Sequence, residues 1–400
     1  MIPRHRPPFG VGELFAALTT HRQEISVEGL EAAYGAAFGL SHAILLPSAR
    51  AGICWALRAA VDSHSEIAGP AYTCEAVHEA MARSGGRLRL MDTAVDSFLI
   101  DPASVTALHS ENYALVLSEV YGHPYDSKFL SNTDRTPPRI KILDSAMTVP
   151  DSSIFQRLQN NDFGVVSFGL GKCMYSGWGA MGATKDYGLA TEIRAQRESF
   201  LEKSTLLLLF KRAAQIFART AAHSRLLYGA CRIFRGSPQV HPEFPSSWCR
   251  DTSISAEWFL PSTAIDRRLN SRNLERRAWL SERRRLLAQR YQHNLAGVTA
   301  VIIPPSSSNA MSHYSIRVSA AHREAIRTAL RKLGINTGTI FRIADYISAS
   351  EFPNSTRISQ EIINLPLDTD LTESEVDYVS NAVIQSVSQR DDATYCHLLP

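Results

Sequence analysis

The stretch Gly164–Thr184, GVVSFGLGKCMYSGWGAMGAT, decides the fold, because a short apolar run breaks into glycines around a single lysine, Lys172. An apolar run of this length, bounded by turn residues, is typical of a buried strand. In α/β proteins, ligands bind just beyond the carboxyl ends of parallel strands. The stretch therefore predicts a buried strand that ends at a functional amine.

Similar apolar runs recur through the first 190 or so residues, and segments of helical periodicity lie between several of them. The runs are HAILLPS, LRLMDT, YALVLSEV and IKILDSA, and the helical segments include SARAGICWALRAAVD and CEAVHEAMARSGG. This alternation predicts an α/β fold with a mainly parallel sheet and helices on both faces, a three-layer α/β/α arrangement. Four stretches that could take part in binding or catalysis follow such strands: Ser48 to Gly52, Glu119 to Gly122, Asp144 to Met147 and Ser167 to Lys172.

The remainder of the chain has a different pattern. From about Glu257, an arginine-rich helical segment leads to the strand AVIIPP, and the strand HYSIRVS, the helix AHREAIRTALRKLG and a closing helix follow. Thr372 and Glu375 have the spacing of a capping box at the start of that last helix. We predict a large domain over residues 1–255 and a smaller C-terminal α+β domain over residues 256–400, joined by a long helix.

Composition narrows the class of protein. A chain of 400 residues with 44% apolar content buries a large core, and its net charge of +3 gives no reason to invoke nucleic acid or strongly acidic partners. The six cysteines form no CxxC pair, and no His cluster has metal-ligand spacing, so we expect no metal and a reducing compartment. The N-terminus MIPRHRPPFG lacks the apolar region of a secretory signal, which favours the cytoplasm.

Lys172 alone is weak support for catalysis, because most lysines are solvated surface charges. Its surroundings strengthen the case: Ser167 precedes it by five residues, and Asp144 ends the strand before it. A buried aspartate is costly unless it is paired with a cation. A pyridinium nitrogen is such a cation, and a lysine amine beside it can react with an aldehyde.

These residues lead to a family resemblance. SFGLGKCMYSGWGAMGAT resembles the cofactor-lysine segment of the DegT/DnrJ/EryC1/StrS sugar aminotransferases, which are fold type I enzymes dependent on pyridoxal 5'-phosphate (PLP). Other segments are similar in the same order: PSARAGICWAL, GPAYTCEAVHEAMARSGGRLRLMDT, LSEVYGHPYD, IKILDSAM and EIINLPLDTDLTESEVDYVSNAV. The resemblance implies a homodimer acting on small molecules. The amino donor would be an amino acid, by resemblance glutamate, and the acceptor a nucleotide-linked keto sugar.

The resemblance also implies roles for individual residues. Lys172 would bind the aldehyde carbon of PLP and move a proton, and Asp144 would keep the pyridine nitrogen protonated. Ser167 would hydrogen-bond the phosphate. The same phosphate would be held by the backbone amides that begin the next helix, with the Arg50 side chain adding charge; those amides belong to Ser48, Ala49 and Arg50. Without the lysine, Ser48 would be interpreted as an ordinary helix N-cap.

Several positions depart from the family pattern. Met147 stands where the family has His or Gln near the cofactor, and Cys74 aligns with an aromatic residue that stacks on the pyridine ring, for which Tyr72 is one possible substitute. Trp178 lies in the glycine-rich turn, and Glu119 replaces a histidine. Two alternatives therefore stay open: a PLP enzyme of the same fold acting on a non-sugar metabolite, and a non-catalytic scaffold or regulator. The retained lysine favours amino transfer over dehydration.

One segment is particular to this chain. Residues 203–241 contain no Asp or Glu but several Lys and Arg among large apolar residues. We expect a basic apolar helical insertion that packs on the sheet or on a dimer partner. The alternative is an amphipathic helix at a membrane surface, which would bring a lipid-linked substrate near. The run LLLLF is too short to span a bilayer.

Two further features have weaker signals. The arginines of Arg267–Arg290 alternate with acids and lack an aromatic platform, so we expect a solvated or dimer-facing helix and no nucleic acid. By the resemblance, His313 and Tyr314 fall where the small domain of the family approaches the substrate. A half-exposed strand histidine is an equal alternative for His313.

Overall fold

A computed structural model describes residues 1–19, 25–108, 112–126, 128–130, 137–150, 155–201, 204–224, 227–228, 258, 260–307 and 309–396. Its strands are β1 His42–Leu46, β2 Glu66–Pro70, β3 Arg87–Met91, β4 Tyr113–Ser118, β5 Ile140–Asp144, β6 Asp162–Ser167, β7 Ala180–Thr184, β8 Tyr314–Arg317 and β9 Ile362–Leu365. Its helices are α1 Val11–Thr19, α2 Val27–Phe38, α3 Ala49–Ala60, α4 Glu75–Ala82, α5 Pro102–Thr106, α6 Tyr187–Phe200, α7 Leu206–Ala222, α8 Ala264–Glu275, α9 Arg277–Leu295, α10 Arg323–Lys332, α11 Pro353–Glu361 and α12 Glu373–Cys396.

The first seven strands form one sheet in the order β1-β7-β6-β5-β4-β2-β3. The neighbours from β6 to β3 pair in parallel, whereas β7 is antiparallel to both of its neighbours. The predicted mainly parallel sheet is confirmed. The strands predicted from apolar runs in this part of the chain are present. The strand predicted from AVIIPP in the C-terminal part is wrong, because Ile302 forms only an isolated bridge with Arg317.

Side chains alternate between two cores on opposite faces of this sheet. On one face, Leu45 and Leu117 pack with Tyr34 and Phe38 of α2. On the other face, Ile44, Leu46 and Val116 pack against α3, α4 and α6. The chain therefore has the three-layer α/β/α arrangement that the alternating pattern predicts.

The sequence does not predict strand β7, because its first residues resemble a continuation of the glycine-rich turn. The turn ends at Gly179, and β7 lies between β1 and β6. A side chain at Gly182 would come within 2.6 Å of the Phe163 ring, so the small residues of β7 make room for bulky neighbours. Such a strand has no apolar run to reveal it, because its neighbours supply the apolar bulk.

The C-terminal part has its own core. Strands β8 and β9 pair antiparallel, and α9, α10 and α12 pack around them. The predicted capping box is present, since the Thr372 side chain accepts the Glu375 N–H at 3.1 Å and the Glu375 side chain accepts the Thr372 N–H at 2.8 Å. The N-terminus joins this part: Ile2 bridges Ile335. The predicted boundary at 255 and 256 lies outside the described residues, so the division into two domains stays a prediction.

The arginine-rich helix differs from the expectation in two ways. It is two helices, α8 and α9, separated at Arg276, whose ψ of 2° leaves the helical range. Its arginines are also used within the chain, so the expected solvated or dimer-facing helix is wrong for Arg284 in particular. Arg284 is buried and donates to the carbonyl oxygens of Met311, Ser312 and Leu367.

Residues 204–224 of the basic insertion are described, and they contain α7. This helix buries Arg212, Ile216 and Thr220 and packs on α1 and α8 rather than directly on the sheet. Its other face is open to solvent, with Leu206, Leu207, Phe210 and Phe217 exposed by 75%, 78%, 70% and 51%. Among the helices that the structure describes, none has the length and apolar character needed to cross a bilayer.

Candidate active site

One edge of the main sheet brings the predicted site residues together. Ser118 pairs with Asp144, and Asp144 pairs with Val165, two residues before Ser167. Ser167 and Leu46 both pair with Ala180, so the end of β6 and the end of β1 flank the start of β7. Adjacent strands lie about 4.8 Å apart, so the ends of β4, β5, β6 and β1 form one continuous rim.

Lys172 lies in the loop that follows β6, and its side chain turns back toward the rim. Its ammonium nitrogen is 3.1 Å from the sulfur of Met147, in the loop that follows β5. The backbone of the lysine is fixed by turns on both sides, since its N–H donates to Gly169 and its carbonyl accepts from Tyr175. A thioether is only a weak acceptor, so the ammonium group keeps donors for a stronger partner.

Asp144 is 7% exposed and ends β5. One carboxylate oxygen accepts the Ser118 hydroxyl at 3.2 Å, and the other accepts the Ala146 N–H at 3.1 Å. Burial raises the pKa of Asp144, and the positive charge of Lys172 together with these two hydrogen bonds opposes the rise. The site therefore presents a carboxylate whose charged form lacks a directly bonded cation among the described residues.

The helix that follows β1 begins at this rim. Ser48 is the N-cap of α3, and its side chain accepts the Ala51 N–H at 3.1 Å, which is the ordinary capping role. The N–H groups of Ala49 and Arg50 are the first of the helix and point outward without an intrahelical acceptor. At the end of β6, Ser167 is half-buried, and its hydroxyl accepts the Gly169 N–H at 3.3 Å.

The side chain of Arg50 has a different partner from the one expected. Its guanidinium is 2.7 Å from the Glu79 carboxylate and lies over the Trp258 ring at 4.8 Å. Glu79 also accepts from Arg83, so this carboxylate is shared by two arginines. The Arg50 side chain is thus held by partners within the chain, and what Arg50 offers at the rim is its backbone N–H.

Cys74 and Met147 border a cluster of large apolar residues. Cys74 is half-buried at the N-cap of α4 and packs against the buried cluster that contains Tyr72, Met147 and Phe341. Tyr72 is fully buried, and its hydroxyl is 2.7 Å from the Tyr121 hydroxyl. Tyr72, the possible substitute for a stacking residue at position 74, is therefore held in this cluster.

The other two departures from the family pattern have partners of their own. Glu119 is buried, 2.7 Å from Arg157, and accepts the Ser145 hydroxyl at 2.6 Å. Burial raises the pKa of Glu119, and Arg157 opposes the rise. Trp178 donates from its ring nitrogen to the Leu260 carbonyl at 2.9 Å. Both side chains thus have partners within the chain.

Three features of the site differ from the sequence-based expectations or have no local signal in the sequence. Tyr121 has φ 57°, which is rare for a residue other than glycine, and its ring stacks on Phe341. His313 is 2% exposed, so a half-exposed strand histidine is wrong, and its ring lies 6.2 Å from that of His5. No signal in the sequence pointed to His5, because it is far from the other site residues along the chain.

These residues fit PLP. The unpaired buried carboxylate of Asp144 suits a pyridinium N–H, and the amine of Lys172 suits an aldehyde. The open N–H groups at the start of α3, with the helix dipole, suit a phosphate. The fit rests on donors and acceptors that the described residues leave unused at one rim of the sheet.

Solved structures share this fold. Sugar aminotransferase CalS13 from Micromonospora echinospora is 22% identical, with a TM-score of 0.70 over 96% of this chain and 100% of that one. Spr1654 from Streptococcus pneumoniae, solved in a pyridoxamine-phosphate form, is 19% identical, with a TM-score of 0.72 over 97% of this chain and 100% of that one. PseC from Helicobacter pylori, an aminotransferase of pseudoaminic acid biosynthesis, is 15% identical, with a TM-score of 0.71 over 97% and 99%. The fold is that of the fold type I PLP enzymes.

The profile of the DegT/DnrJ/EryC1/StrS aminotransferase family matches residues 19–205 and 265–384. The chain belongs to this family, and the resemblance noted in the sequence is confirmed. It is accordingly a PLP-dependent aminotransferase.

Proposed function

We propose that the enzyme moves an amino group from glutamate to a keto group on a nucleotide-linked sugar. The observation that carries this proposal is the meeting of Lys172, Asp144 and the start of α3 at one rim of the sheet. The sugar acceptor is supported by the family match and by the name of the sugar aminotransferase CalS13. Polysaccharide or natural-product biosynthesis is the setting we propose for such a product.

The proposed roles follow from the chemistry of each side chain. Bound PLP supplies an electron sink for the negative charge left on the substrate carbon when that carbon loses a proton. Lys172 holds the cofactor and then carries that proton on its amine nitrogen. Asp144 keeps a proton on the pyridine nitrogen by accepting its hydrogen bond. Ser167 and the N–H groups of Ala49 and Arg50 hold the phosphate, while Ser48 caps the helix that presents them.

In the proposed cofactor site, Cys74 and Met147 contribute packing more than hydrogen bonds. Both border the apolar cluster that includes Tyr72 and Phe341. A thioether and a thiol can pack against the cofactor ring but cannot replace a strong donor. This difference keeps the second candidate open, which is the same chemistry on a non-sugar keto compound.

The test is an absorbance titration of the purified protein with PLP, followed by glutamate. We expect PLP to give a visible absorption band, and glutamate to bleach it with release of 2-oxoglutarate. Keto sugars linked to nucleotides should then restore the band, whereas non-sugar keto acids other than 2-oxoglutarate, the product of the donor half-reaction, should not. A band that glutamate leaves unchanged would mean another donor. A protein that forms no band with PLP would support a scaffold or regulator instead.

We further propose a homodimer, with the cytoplasm as its location. In the described part of the chain, Cys54, Cys74 and Cys173 are free thiols, which suits a reducing compartment. The open face of α7, which carries Leu207 and Phe210, is the surface for which we propose a partner-subunit contact. Light scattering after gel filtration measures the mass of the particle.

The competing proposal for this face is peripheral membrane contact by residues 203–241, of which 203, 225–226 and 229–241 lie outside the described residues. Cosedimentation with vesicles of anionic lipid distinguishes the two. A Phe210→Ser variant that becomes monomeric but pellets no less supports the subunit contact. Loss of pelleting with an unchanged particle mass supports the membrane.

A further inference from the structure

Two buried histidines stand side by side at the rim of the Lys172 site. His5 belongs to the N-terminal segment and is 7% exposed, and His313 immediately precedes β8. Their ring centroids are 6.2 Å apart, with an angle of 36° between the planes. The histidines therefore form a pair that only the folded chain brings together.

The pair is tied to the loops of the site. The Thr148 hydroxyl, next to Met147, donates to the Ala310 carbonyl at 2.8 Å. The Ser312 N–H donates to the Tyr121 carbonyl at 3.1 Å. Residues 310–312 thus connect the loops that follow β5 and β4 to His313, which places its ring beside the wall of the site.

Most of the hydrogen-bonding capacity of the pair is unused. His313 Nδ1 is 3.1 Å from the Ser312 hydroxyl oxygen. His313 Nε2 and both ring nitrogens of His5 are buried and have no hydrogen-bond partner among the described residues. Buried polar atoms are normally paired in folded proteins, so unpaired nitrogens at the edge of a binding site indicate a missing ligand.

The charges around the pair identify the kind of ligand. Lys172, Arg4 and Arg284 act on both rings, and His223 at the end of α7 acts on His5. Burial first, and then these groups, lower the pKa of both histidines well below the usual value. Every charged group that acts most strongly on either ring is basic. An anion would relieve this excess of positive charge.

We propose that His5 and His313 bind an anionic oxygen group of a substrate, through N–H donation from their unpaired ring nitrogens. The inference rests on the proposed function, which supplies two sources of such a group: the carboxylate of the amino donor and the phosphate of a nucleotide-linked acceptor. A negative charge between the rings raises the pKa of both histidines, so binding takes up protons. Affinity consequently falls as pH rises.

The test is calorimetric titration of the PLP-loaded enzyme with two unreactive probes. Succinate represents the carboxylate source, and inorganic pyrophosphate represents the phosphate source. We expect one of them to bind with proton uptake, seen as a binding heat that changes with the ionisation enthalpy of the buffer. The probe that binds identifies the source.

Variants then assign the effect to the pair. His5→Gln and His313→Gln should each weaken the bound probe by about 10- to 100-fold, because each removes a charged hydrogen bond, and should reduce the proton uptake. The control is His64→Gln, at an exposed position, which should bind as the wild type does. Circular dichroism and the visible PLP band show that each variant is folded and loaded.

Each outcome bears on the proposal separately from the proposed function. If neither probe binds the loaded enzyme, or if both variants bind with wild-type affinity and proton uptake, the anion site is wrong whatever the activity. If a probe binds as expected and glutamate still fails to bleach the PLP band, the anion site is supported and glutamate is not the amino donor.

Discussion

Replacing Asp144 with asparagine is the sharpest test of the cofactor site. Asparagine has nearly the same shape and keeps one oxygen that can accept from Ser118 or Ala146, but it has no charge. Burial raises the pKa of Asp144, so the ionised carboxylate destabilises the folded apoenzyme until a cation pairs with it. The substitution should therefore act in opposite directions on the apoenzyme and on PLP binding.

The size of the effect on binding follows from the lost hydrogen bond. A hydrogen bond to a charged group contributes about 1.5–3 kcal/mol. With about 1.4 kcal/mol for each factor of ten, the apparent affinity for PLP should fall by about 10- to 150-fold. Turnover should fall further, because asparagine does not keep the pyridine nitrogen protonated.

The pH dependence has a definite sign. A carboxyl whose folded pKa is raised holds its proton longer in the folded state, so the unfolded state releases protons first. The wild-type apoenzyme should thus lose stability as pH rises from the unfolded value of 3.8 through the raised folded pKa. Asp144→Asn should lack this loss and be at least as stable as the wild type at neutral pH.

The assays are PLP titration by absorbance and urea unfolding of the apoenzyme. Asp162→Asn is a matched control, because Asp162 is a buried aspartate at the opposite end of the sheet, 3.4 Å from Lys141. It should destabilise the fold and leave the PLP affinity unchanged. If Asp144→Asn binds PLP as tightly as the wild type, Asp144 does not pair with the pyridine nitrogen and the assignment of the site is refuted.

Three other predictions follow from local contacts. Lys172→Ala should form no visible band with PLP and release no 2-oxoglutarate from glutamate, and a wild-type band in this variant would exclude the lysine. Gly177→Ala should lower the free energy of unfolding, measured in urea, by about 3 kcal/mol, because φ is +114° and the new methyl group would overlap Asp266. Its control is Gly297→Ala, where φ is +78° but the space is open, and this variant should lower the free energy of unfolding by only about 1 kcal/mol. Thr372→Ala should cost about 1 kcal/mol through the lost cap, and no change in the urea midpoint would contradict the capping box.

Much of the fold could be predicted because the signals are local. Strands β1, β4, β5 and β6 are apolar runs that need no neighbours to be recognised, and the parallel sheet follows from the helices between them. Lys172 and Asp144 were predicted because a charged residue at the end of a buried strand is unusual in itself. Strand β7 could not be predicted, since its small residues fit only between β1 and β6.

The sequence by itself determined the parallel sheet, the family, and the two charged residues at its rim, because periodicity and motif spacing are written within short segments. Tertiary structure alone decided which distant groups meet. It paired Arg50 with Glu79, buried Arg284 among backbone carbonyls, and brought His5 against His313. The partners of long charged side chains are set by which surfaces pack together, and no pattern along the chain records that choice.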